Sequence, residues 1–351
     1  MIEPPAPVLE LRSVSKLYRA RGSALRRTFV RVLSGVDLAA FPSQTVCLIG
    51  ETGSGKTTLG RVLVGLTQPE EGSVSFRGRS ITSLRGADWR EYRRSVQMVF
   101  QNPTASFNPM LTVGASIRDA LRFAPHPDGR TGTDVARLLE QVELSPRLAD
   151  RYPDEVSGGE LQRASIARAL ATEPSLIFLD EPASALDVSI RGQIFNLLRA
   201  LQQERGLALV MVTHDMPTVR VMGDDVLVLY LGRTAEYARH RTFAAPRHPY
   251  SLALLAASSA EASRRGLHSL RLLSEVPSVS DPPTGCPFHP RCWLYRRLGE
   301  PERCRVEIPQ PSPVENGHDV ACHFANQSLE AATGPMSRAP EPSQEEDRGE
   351  P

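Results

Sequence analysis

The chain contains three short apolar runs, at residues 46–49, 176–179 and 207–212, and each is followed by glycine or polar residues. Continuous apolar runs of this length are typical of parallel strands, which are buried on both faces. From Leu59 to Leu66 the apolar residues recur with helical spacing. The pattern predicts an α/β fold in which ligands bind at the carboxyl ends of the strands.

A glycine-rich loop joins the first apolar run to the predicted helix. Its sequence GETGSGKTT, residues 50–58, matches G-x-x-x-x-G-K-[ST] in the strand–loop–helix context that this motif requires. Glycines let successive backbone N–H groups converge on phosphate oxygens, and the helix start adds partial positive charge. We expect Lys56 to contact the β- and γ-phosphates and Thr57 to bind Mg²⁺. The correct flanks disfavour the alternative, a fortuitous glycine turn.

Polar residues follow the other two runs. Asp180 and Glu181 come after the second run, and Thr213, His214 and Asp215 come after the third. One carboxylate would hold Mg²⁺, and the next would orient and deprotonate the attacking water. A lone histidine is more often structural, but the position of His214 favours contact with the γ-phosphate.

A second anion site is predicted where a helix begins. Ser157 and Glu160 form the S-x-x-E capping box, and Gly158 and Gly159 lie inside it. Glycine is a poor helix former, but it lets a large anion approach the free N–H groups. Because the first loop already surrounds one side of the phosphates, we expect this helix to bind nucleotide on another subunit. The alternative is an ordinary N-cap.

Bulk composition limits the class of protein. A length of 351 residues suits about two domains, and a net charge of +1 gives no field that would attract nucleic acid. No apolar run approaches the roughly 20 residues that cross a bilayer, and the start lacks a signal sequence. The chain is therefore expected in the cytoplasm. Only Lys16 and Lys56 are lysines among 41 basic residues, which indicates that arginine does not replace them freely.

Four of the five cysteines lie in the last quarter of the chain, and they are Cys286, Cys292, Cys304 and Cys322. A cytoplasmic location disfavours disulfides. The spacings match neither common structural zinc sites nor common ferredoxins, so a cluster, zinc and free thiols all stay open. The fifth, Cys47, is expected to be a buried apolar residue of a strand.

Six motifs in series resemble those of the ATPase subunits of ABC transporters. They are GETGSGKTT (Walker A), FQNP (Q-loop, Gln101), VSGGELQR (signature), IFLDEP (Walker B), SALD (D-loop) and VTHD (switch histidine). The resemblance covers about residues 8–245. Two departures, Ser43-Gln44 before the first strand and Glu160 in the signature, replace Gly-Glu and the commoner Gln. No catalytic position is missing.

The resemblance assigns roles to individual residues. It implies Glu181 as general base, His214 and Gln101 as sensors of the γ-phosphate, and Thr57, Gln101 and Asp180 as Mg²⁺ ligands. It places ATP against Tyr18, Gly50, Glu51, Thr52, Gly53, Ser54, Gly55, Lys56, Thr57 and Thr58 of one subunit and against Ser157, Gly158, Gly159 and Glu160 of its partner.

Four further stretches resemble the oligopeptide/dipeptide/nickel importer branch: FQNPTASFNP, DEPASALDVSIRGQIFNLL, PRHPYSLALLAA and the terminal GCPFHPRC…C…VACHF. That branch implies two permeases, a second ATPase subunit, an extracytoplasmic binding protein, no nucleic acid, and attachment to the cytoplasmic face of the cell membrane. It also implies a [4Fe–4S] cluster on Cys286, Cys292, Cys304 and Cys322, with Zn²⁺ as the alternative. The expected cargo is a peptide, and the alternatives are nickel, opines and glutathione. Other readings are a soluble ABC ATPase and a metal-binding regulator with a degenerate ATPase.

The predicted fold is a P-loop NTPase with a RecA-like core, an antiparallel β subdomain, a helical subdomain and a small Cys-rich C-terminal module. The nucleotide-binding domain is expected over residues 1–260, with its helical subdomain at about 104–168. The C-terminal module is expected over 261–325 and begins with a linker, 261–280. Few apolar residues follow, which predicts a disordered tail over 326–351.

Overall fold

The strands of the protein form two sheets in a computed structural model that describes residues 6–19, 29–124, 132–239, 243, 245–258, 270, 272 and 274–333. The strands are β1 (Leu9–Arg19), β2 (Phe29–Ala40), β3 (Thr45–Ile49), β4 (Glu71–Phe76), β5 (Arg79–Ser80), β6 (Val96–Val99), β7 (Leu176–Asp180), β8 (Ala208–Val212), β9 (Asp225–Tyr230), β10 (Arg233–Arg239), β11 (Ser312–Glu315) and β12 (His318–Val320). A four-stranded sheet has the order β2-β1-β4-β5, and an eight-stranded sheet has the order β11-β12-β10-β9-β3-β8-β7-β6.

Helices pack around these sheets. The α-helices are α1 (Lys56–Leu63), α2 (Gly86–Ser95), α3 (Pro103–Ser106), α4 (Val113–Leu121), α5 (Gly132–Gln141), α6 (Gly158–Leu170), α7 (Val188–Arg205), α8 (Met216–Met222), α9 (Pro249–Ser258), α10 (Trp293–Arg297), α11 (Arg303–Val306) and α12 (Ala325–Thr333). Short 3₁₀ turns cover Ile81–Ser83, Pro146–Asp150, Pro153–Glu155 and His289–Arg291.

The three predicted strands lie side by side in the large sheet. They are β3, β7 and β8, which pair in parallel and are buried at every position. Alternate residues of β3 enter different clusters of the core, since Val46 and Leu48 pack with one and Cys47 and Ile49 with the other. The apolar runs are therefore continuous because both faces of the sheet are covered.

Helix α1 begins three residues before the predicted start and ends three before the predicted end. Gly55 precedes it with a left-handed φ of 104°, which starts the helix at Lys56, and Gly65 has φ 71° just after its end. Gly60 lets the helix approach the sheet, because a Cβ there would lie 2.3 Å from the Phe178 ring. Leu66 falls outside the helix and is 55% exposed.

Helices occupy the stretch predicted as a helical subdomain. Helices α3, α4 and α5 all contact α6, which begins at the predicted cap. The Ser157 side chain accepts from Glu160 N, and the Glu160 carboxylate accepts from Ser157 N at 3.1 Å. Burial of nine of its residues then fixes α6 against the other helices. The limits of the subdomain stay a prediction.

The prediction of a separate Cys-rich C-terminal module is not supported. Strand β12 pairs with β10 and β11 pairs with β12, so this segment extends the main sheet. Phe288, Trp293 and Leu294 belong to the same apolar cluster as Ile177 of β7 and Met211 of β8. A segment that is too small for its own core is thus stabilised by strand pairing and by shared burial.

The predictions for the linker and the tail are only partly covered by the described residues. Residues 261–269, 271 and 273 of the predicted linker lie outside them, as do residues 334–351 of the predicted tail. The start of that tail is helical instead, since it lies in α12. Ala332 is buried and Ser328 donates to the Arg247 carbonyl, so α12 packs on the core. Among the described residues, no helix is long and apolar enough to cross a membrane.

A fully buried ion pair fastens β12 to β10. His318 and Glu236 have no exposed surface, and His318 Nε2 lies 2.6 Å from Glu236 Oε1. His318 Nδ1 lies 3.1 Å from Glu315, and the Glu236 carboxylate also accepts from the backbone N–H groups of Arg247 and His248. Burial lowers the pKa of His318, but the hydrogen bonds and charges of Glu236 and Glu315 outweigh it, so the pKa is raised.

The raised pKa predicts a pH-dependent stability. A histidine whose pKa is higher in the folded than in the unfolded state stabilises the fold fully below the unfolded pKa of about 6.5, and this contribution is lost as the pH rises through the folded pKa. We expect His318→Gln to lower the free energy of unfolding most at pH 6 and least at alkaline pH, measured by urea titration. The control is Arg303→Gln, which breaks an exposed pair with Glu307 and should cost less than about 1 kcal/mol. A deficit that is independent of pH would contradict the assignment.

Candidate active site

The phosphate loop connects β3 to α1 and has a backbone that requires glycine. Gly50, Gly53 and Gly55 have φ angles of 153°, 83° and 104°. A side chain at Gly50 would place its Cβ 2.3 Å from the Leu229 carbonyl oxygen, and one at Gly55 would meet Leu33 at 2.8 Å. The loop therefore fits closely against β9 and β2, with its backbone fixed around the start of α1.

Lys56 is held inside this loop. Its Nζ donates to the carbonyl oxygens of Gly50 and Glu51 at 2.7 and 2.8 Å, and to Ser54 Oγ at 3.3 Å. The residue is only 8% exposed. Burial lowers the pKa of Lys56, and the negative charges of Glu181, Asp180 and Glu51 partly offset this effect. The ammonium group thus has its hydrogen bonds satisfied within the loop.

Asp180 and Thr57 meet at the predicted magnesium site. Asp180 ends β7 and is 6% exposed, and its carboxylate is hydrogen-bonded to Thr57. Burial raises the pKa of Asp180, while this hydrogen bond and the charges of Lys56 and Arg61 oppose the rise. A hydroxyl and a carboxylate are hard oxygen ligands, so the pair fits a bound Mg²⁺.

Two residues that are far apart in the sequence converge on the carboxylate of Glu181. Gln101 Nε2 donates to Glu181 Oε2 at 3.0 Å, and His214 Nδ1 lies 3.6 Å from Glu181 Oε1. Glu181 has a left-handed φ of 45°, which is unusual for a residue with a side chain and marks a local constraint on the backbone. The predicted base and both predicted γ-phosphate sensors therefore share one side of the site, beside Asp180.

The signature residues lie elsewhere, at the start of α6. Ser157 and Gly158 are exposed, and the Glu160 carboxylate is occupied by the Ser157 backbone and hydroxyl. Gly159 is in closer contact, since a Cβ there would lie 2.9 Å from Ile190. Tyr18 lies on β1 with 36% exposure, and its ring centroid is 5.3 Å from Lys16 Nζ. Its stacking on adenine stays a prediction.

Sequence reasoning missed two residues that contact the phosphate loop. The Glu51 carboxylate pairs with both terminal nitrogens of Arg291, at 2.6 and 3.0 Å, and Glu51 N donates to the Tyr250 hydroxyl at 2.7 Å. Glu51 was expected only to contact ATP. The available signal was weak: Arg291 is a single arginine between two cysteines, and Tyr250 follows a proline in an apolar stretch.

The predicted metal centre is not formed in this structure. Among the described residues, no three Cys, His, Asp or Glu side chains are placed so as to hold a metal ion. Cys292 Sγ accepts from Tyr295 N and Cys322 Sγ accepts from Phe324 N, both at 3.4 Å. Burial raises the pKa of Cys286 to about 11 and that of Cys322 to about 12. The structure thus supports neither a [4Fe–4S] cluster nor zinc, and the described cysteines are free.

Comparisons with known proteins identify the family of the chain. A family model described as "ABC transporter" matches residues 33–184. A second, "Oligopeptide/dipeptide transporter, C-terminal region", matches residues 236–298. The structure resembles the ATP-binding cassette MJ0796, solved as a dimer in a post-hydrolysis state with ADP and Pi. The TM-score is 0.59 at 30% identity over 66% of this chain and 99% of that one.

Curated relatives cover nearly the whole chain. The "Probable peptide ABC transporter ATP-binding protein y4tS" of Sinorhizobium fredii is 42% identical, over 95% of this chain and 94% of that protein. The "Di/tripeptide transport ATP-binding protein DppF" of Pseudomonas aeruginosa is 38% identical, over 92% and 99%. Fold and site define an ATPase of the ABC transporter class. Within that class, the chain belongs to the oligopeptide/dipeptide family of ATP-binding proteins.

The position of Lys56 predicts the effect of replacing it. Lys56→Ala should abolish measurable MgATP binding, because it removes the buried ammonium group that the loop holds in place. Lys56→Arg should also fail, since a planar guanidinium does not fit the three close acceptors around a buried ammonium. Isothermal titration of the purified chain with MgATP measures both. The control is Arg61→Lys in the same helix, which keeps its charge and should bind normally; retained binding in Lys56→Ala would contradict the assigned role.

Proposed function

We propose that ATP hydrolysis in this site drives the import of di- or oligopeptides across the cytoplasmic membrane. The observation that carries the proposal is the convergence of Gln101, Glu181 and His214 beside the phosphate loop. The peptide cargo is supported by the names of the relatives and by the match to the C-terminal region of oligopeptide/dipeptide transporters. Nickel, opines and glutathione are not favoured by these matches.

The loop and Lys56 bind the phosphates of ATP. Lys56 exchanges its bonds to the loop carbonyls for bonds to the β- and γ-phosphates, so a charged acceptor replaces neutral ones. Thr57 and Asp180 hold Mg²⁺, which neutralises charge on the phosphates when it is bound. The buried Asp180 carboxylate is then stabilised as an anion, against the effect of its burial.

Glu181 acts as the general base. Its carboxylate accepts the proton of the attacking water, and Gln101 and His214 orient that water and the γ-phosphate around it. The left-handed backbone of Glu181 fixes the position of this carboxylate directly after the Mg²⁺-binding Asp180. The three side chains thus sense whether the γ-phosphate is present.

Two copies of the ATPase fold close head to tail around the nucleotide. Ser157 and Gly158 are exposed at the start of α6, where the positive end of the helix can contact the γ-phosphate of a nucleotide bound by the partner subunit. Glu160 stays in the capping box and keeps that helix end formed. The partner subunit is a second copy or a homologous chain.

Permease subunits supply the path through the membrane. A groove of about 1000 Å³ on this chain has room for an amphipathic segment of a permease. The groove is lined by α2, β6 and the ends of α4 and α6, so it joins the sheet to the helical layer. Phe123 is 72% exposed at its wall, and Arg93 and Arg122 line it with positive charge. Motion of the helices after hydrolysis would reach the permeases here. The chain is thereby held at the cytoplasmic face, with an extracytoplasmic protein delivering cargo.

The role of the base predicts a separation of binding from turnover. Glu181→Gln should lower ATP turnover by the assembled transporter roughly 100-fold or more, while MgATP binding is kept. Phosphate release and nucleotide titration measure the two properties. Glu204→Gln, an exposed glutamate of α7, is the matched control and should hydrolyse normally. Unchanged turnover in Glu181→Gln would show that the assigned base is wrong.

Cargo is tested in proteoliposomes that contain this chain, its permeases and its binding protein. Di- or oligopeptides are expected to stimulate ATP turnover and to accumulate in vesicles at the expense of ATP. Stimulation by nickel, an opine or glutathione, without a response to peptides, would reject the peptide proposal and keep the ATPase. The Glu181→Gln transporter provides the background for both signals.

A further inference from the structure

The part of the chain that follows α9, here called the C-terminal segment, contacts the phosphate loop at Glu51. Arg291 is 2% exposed and makes a two-pronged ion pair with the Glu51 carboxylate, across 240 positions of sequence. The Arg291 Nε also donates to the Ser274 carbonyl at 2.8 Å. Two donors of the buried guanidinium thus bond to Glu51, and a third holds the guanidinium to the backbone of Ser274. Paired, planar geometry of this kind fixes orientation as well as distance.

The backbone of Glu51 is held at both ends as well. Its N–H donates to the Tyr250 hydroxyl at 2.7 Å, and its carbonyl accepts from Lys56 Nζ at 2.8 Å and from Ser54 N at 3.1 Å. One residue of the loop therefore connects the phosphate-binding lysine to the C-terminal segment. None of these contacts involves a group that the hydrolysis step itself uses, apart from Lys56.

The groups that hold Glu51 are themselves rigid. Tyr250 has no exposed surface, and its ring lies 4.8 Å from that of Tyr230 and 5.3 Å from that of Phe288. The Arg291 guanidinium lies 5.8 Å from the centroid of the Tyr230 ring. An aromatic cluster thus packs against both partners of Glu51. Packed aromatic groups of this kind give little freedom to the side chains that they carry.

We infer that Arg291 and Tyr250 are positioning residues that keep the phosphate loop in its nucleotide-binding shape and so set the affinity for ATP. A loop with three glycines at positive φ has many alternative conformations, and ordering it would weaken binding if it were left to the nucleotide. The C-terminal segment removes that cost before ATP arrives. This inference rests on the proposed function, because it requires the loop to bind ATP.

Nucleotide affinity and turnover test the inference. Arg291→Gln should raise the Kd and KM for MgATP about tenfold. Loss of the pair with Glu51 would weaken the binding of ATP in the ground state and in the transition state to the same extent. The kcat at saturating MgATP should change by less than about twofold. Arg291→Lys keeps the charge but not the two-pronged geometry, so it should recover part of the affinity. Isothermal titration of the full chain and steady-state turnover of the assembled transporter provide these values.

A second variant distinguishes the loss of a contact with Glu51 from misfolding of the chain. Tyr250→Phe removes only the hydroxyl that accepts from Glu51 N, and it should raise the Kd for MgATP with little change in the circular-dichroism spectrum. The double variant Glu51→Gln/Arg291→Gln should bind no more weakly than the weaker single variant, because both act on one contact.

Two controls separate positioning from general stability. His318→Gln weakens the same C-terminal segment without touching Glu51, and it should leave the Kd for MgATP unchanged. Arg303→Gln removes an exposed arginine of that segment and should also bind normally. The inference is overturned if folded Arg291→Gln and Tyr250→Phe bind MgATP like the unaltered chain, or if His318→Gln weakens binding as much. Failure of the unaltered chain to bind MgATP would instead reject the proposed function.

Discussion

Parallel pairing of β3, β7 and β8 is the constraint on which the site depends. In a sheet buried on both faces, a slip in register would move every side chain of a strand into the wrong half of the core. The pairing sets Leu48 and Asp180 opposite Val212 on either side. The phosphate loop, the two carboxylates and the switch histidine therefore start from neighbouring points along one edge. Burial of apolar side chains, which has no catalytic role, thus brings the chemistry together.

Electrostatics then makes the site ready for an anion before one is bound. Lys56 is buried among carbonyl oxygens, and its positive charge is balanced by Asp180, Glu181 and Glu51 nearby. The arrangement avoids an unpaired buried charge in the free protein, which would be costly. It also leaves a cation whose neutral partners can be exchanged for phosphate. Affinity therefore depends on how firmly the loop holds its shape, and not only on the charge of the lysine.

Sequence patterns predicted the structural features that depend on short stretches of the chain. The strands, the capping box at Ser157 and the phosphate loop all follow from short windows, because burial, capping and backbone conformation act over a few residues. The contact between Arg291 and Glu51 spans 240 positions and has no periodic signature, so it required the fold. The four C-terminal cysteines were expected to bind a cluster because of the family resemblance, since their spacings alone favoured no metal. The structure does not support that site, and two of the cysteines accept backbone hydrogen bonds at turns.

The pairing of β12 with β10 also covers a sheet edge that could otherwise pair with other protein chains. Without β11 and β12, the outer side of β10 would present a row of unpaired N–H and C=O groups to solvent, and such an edge readily recruits strands from other chains. Strand β11 ends the sheet safely, because it is four residues long and contains Pro313, which cannot donate to an added strand. The C-terminal segment thus covers this edge, and a chain shortened before residue 312 would expose the outer side of β10 to pairing with other chains.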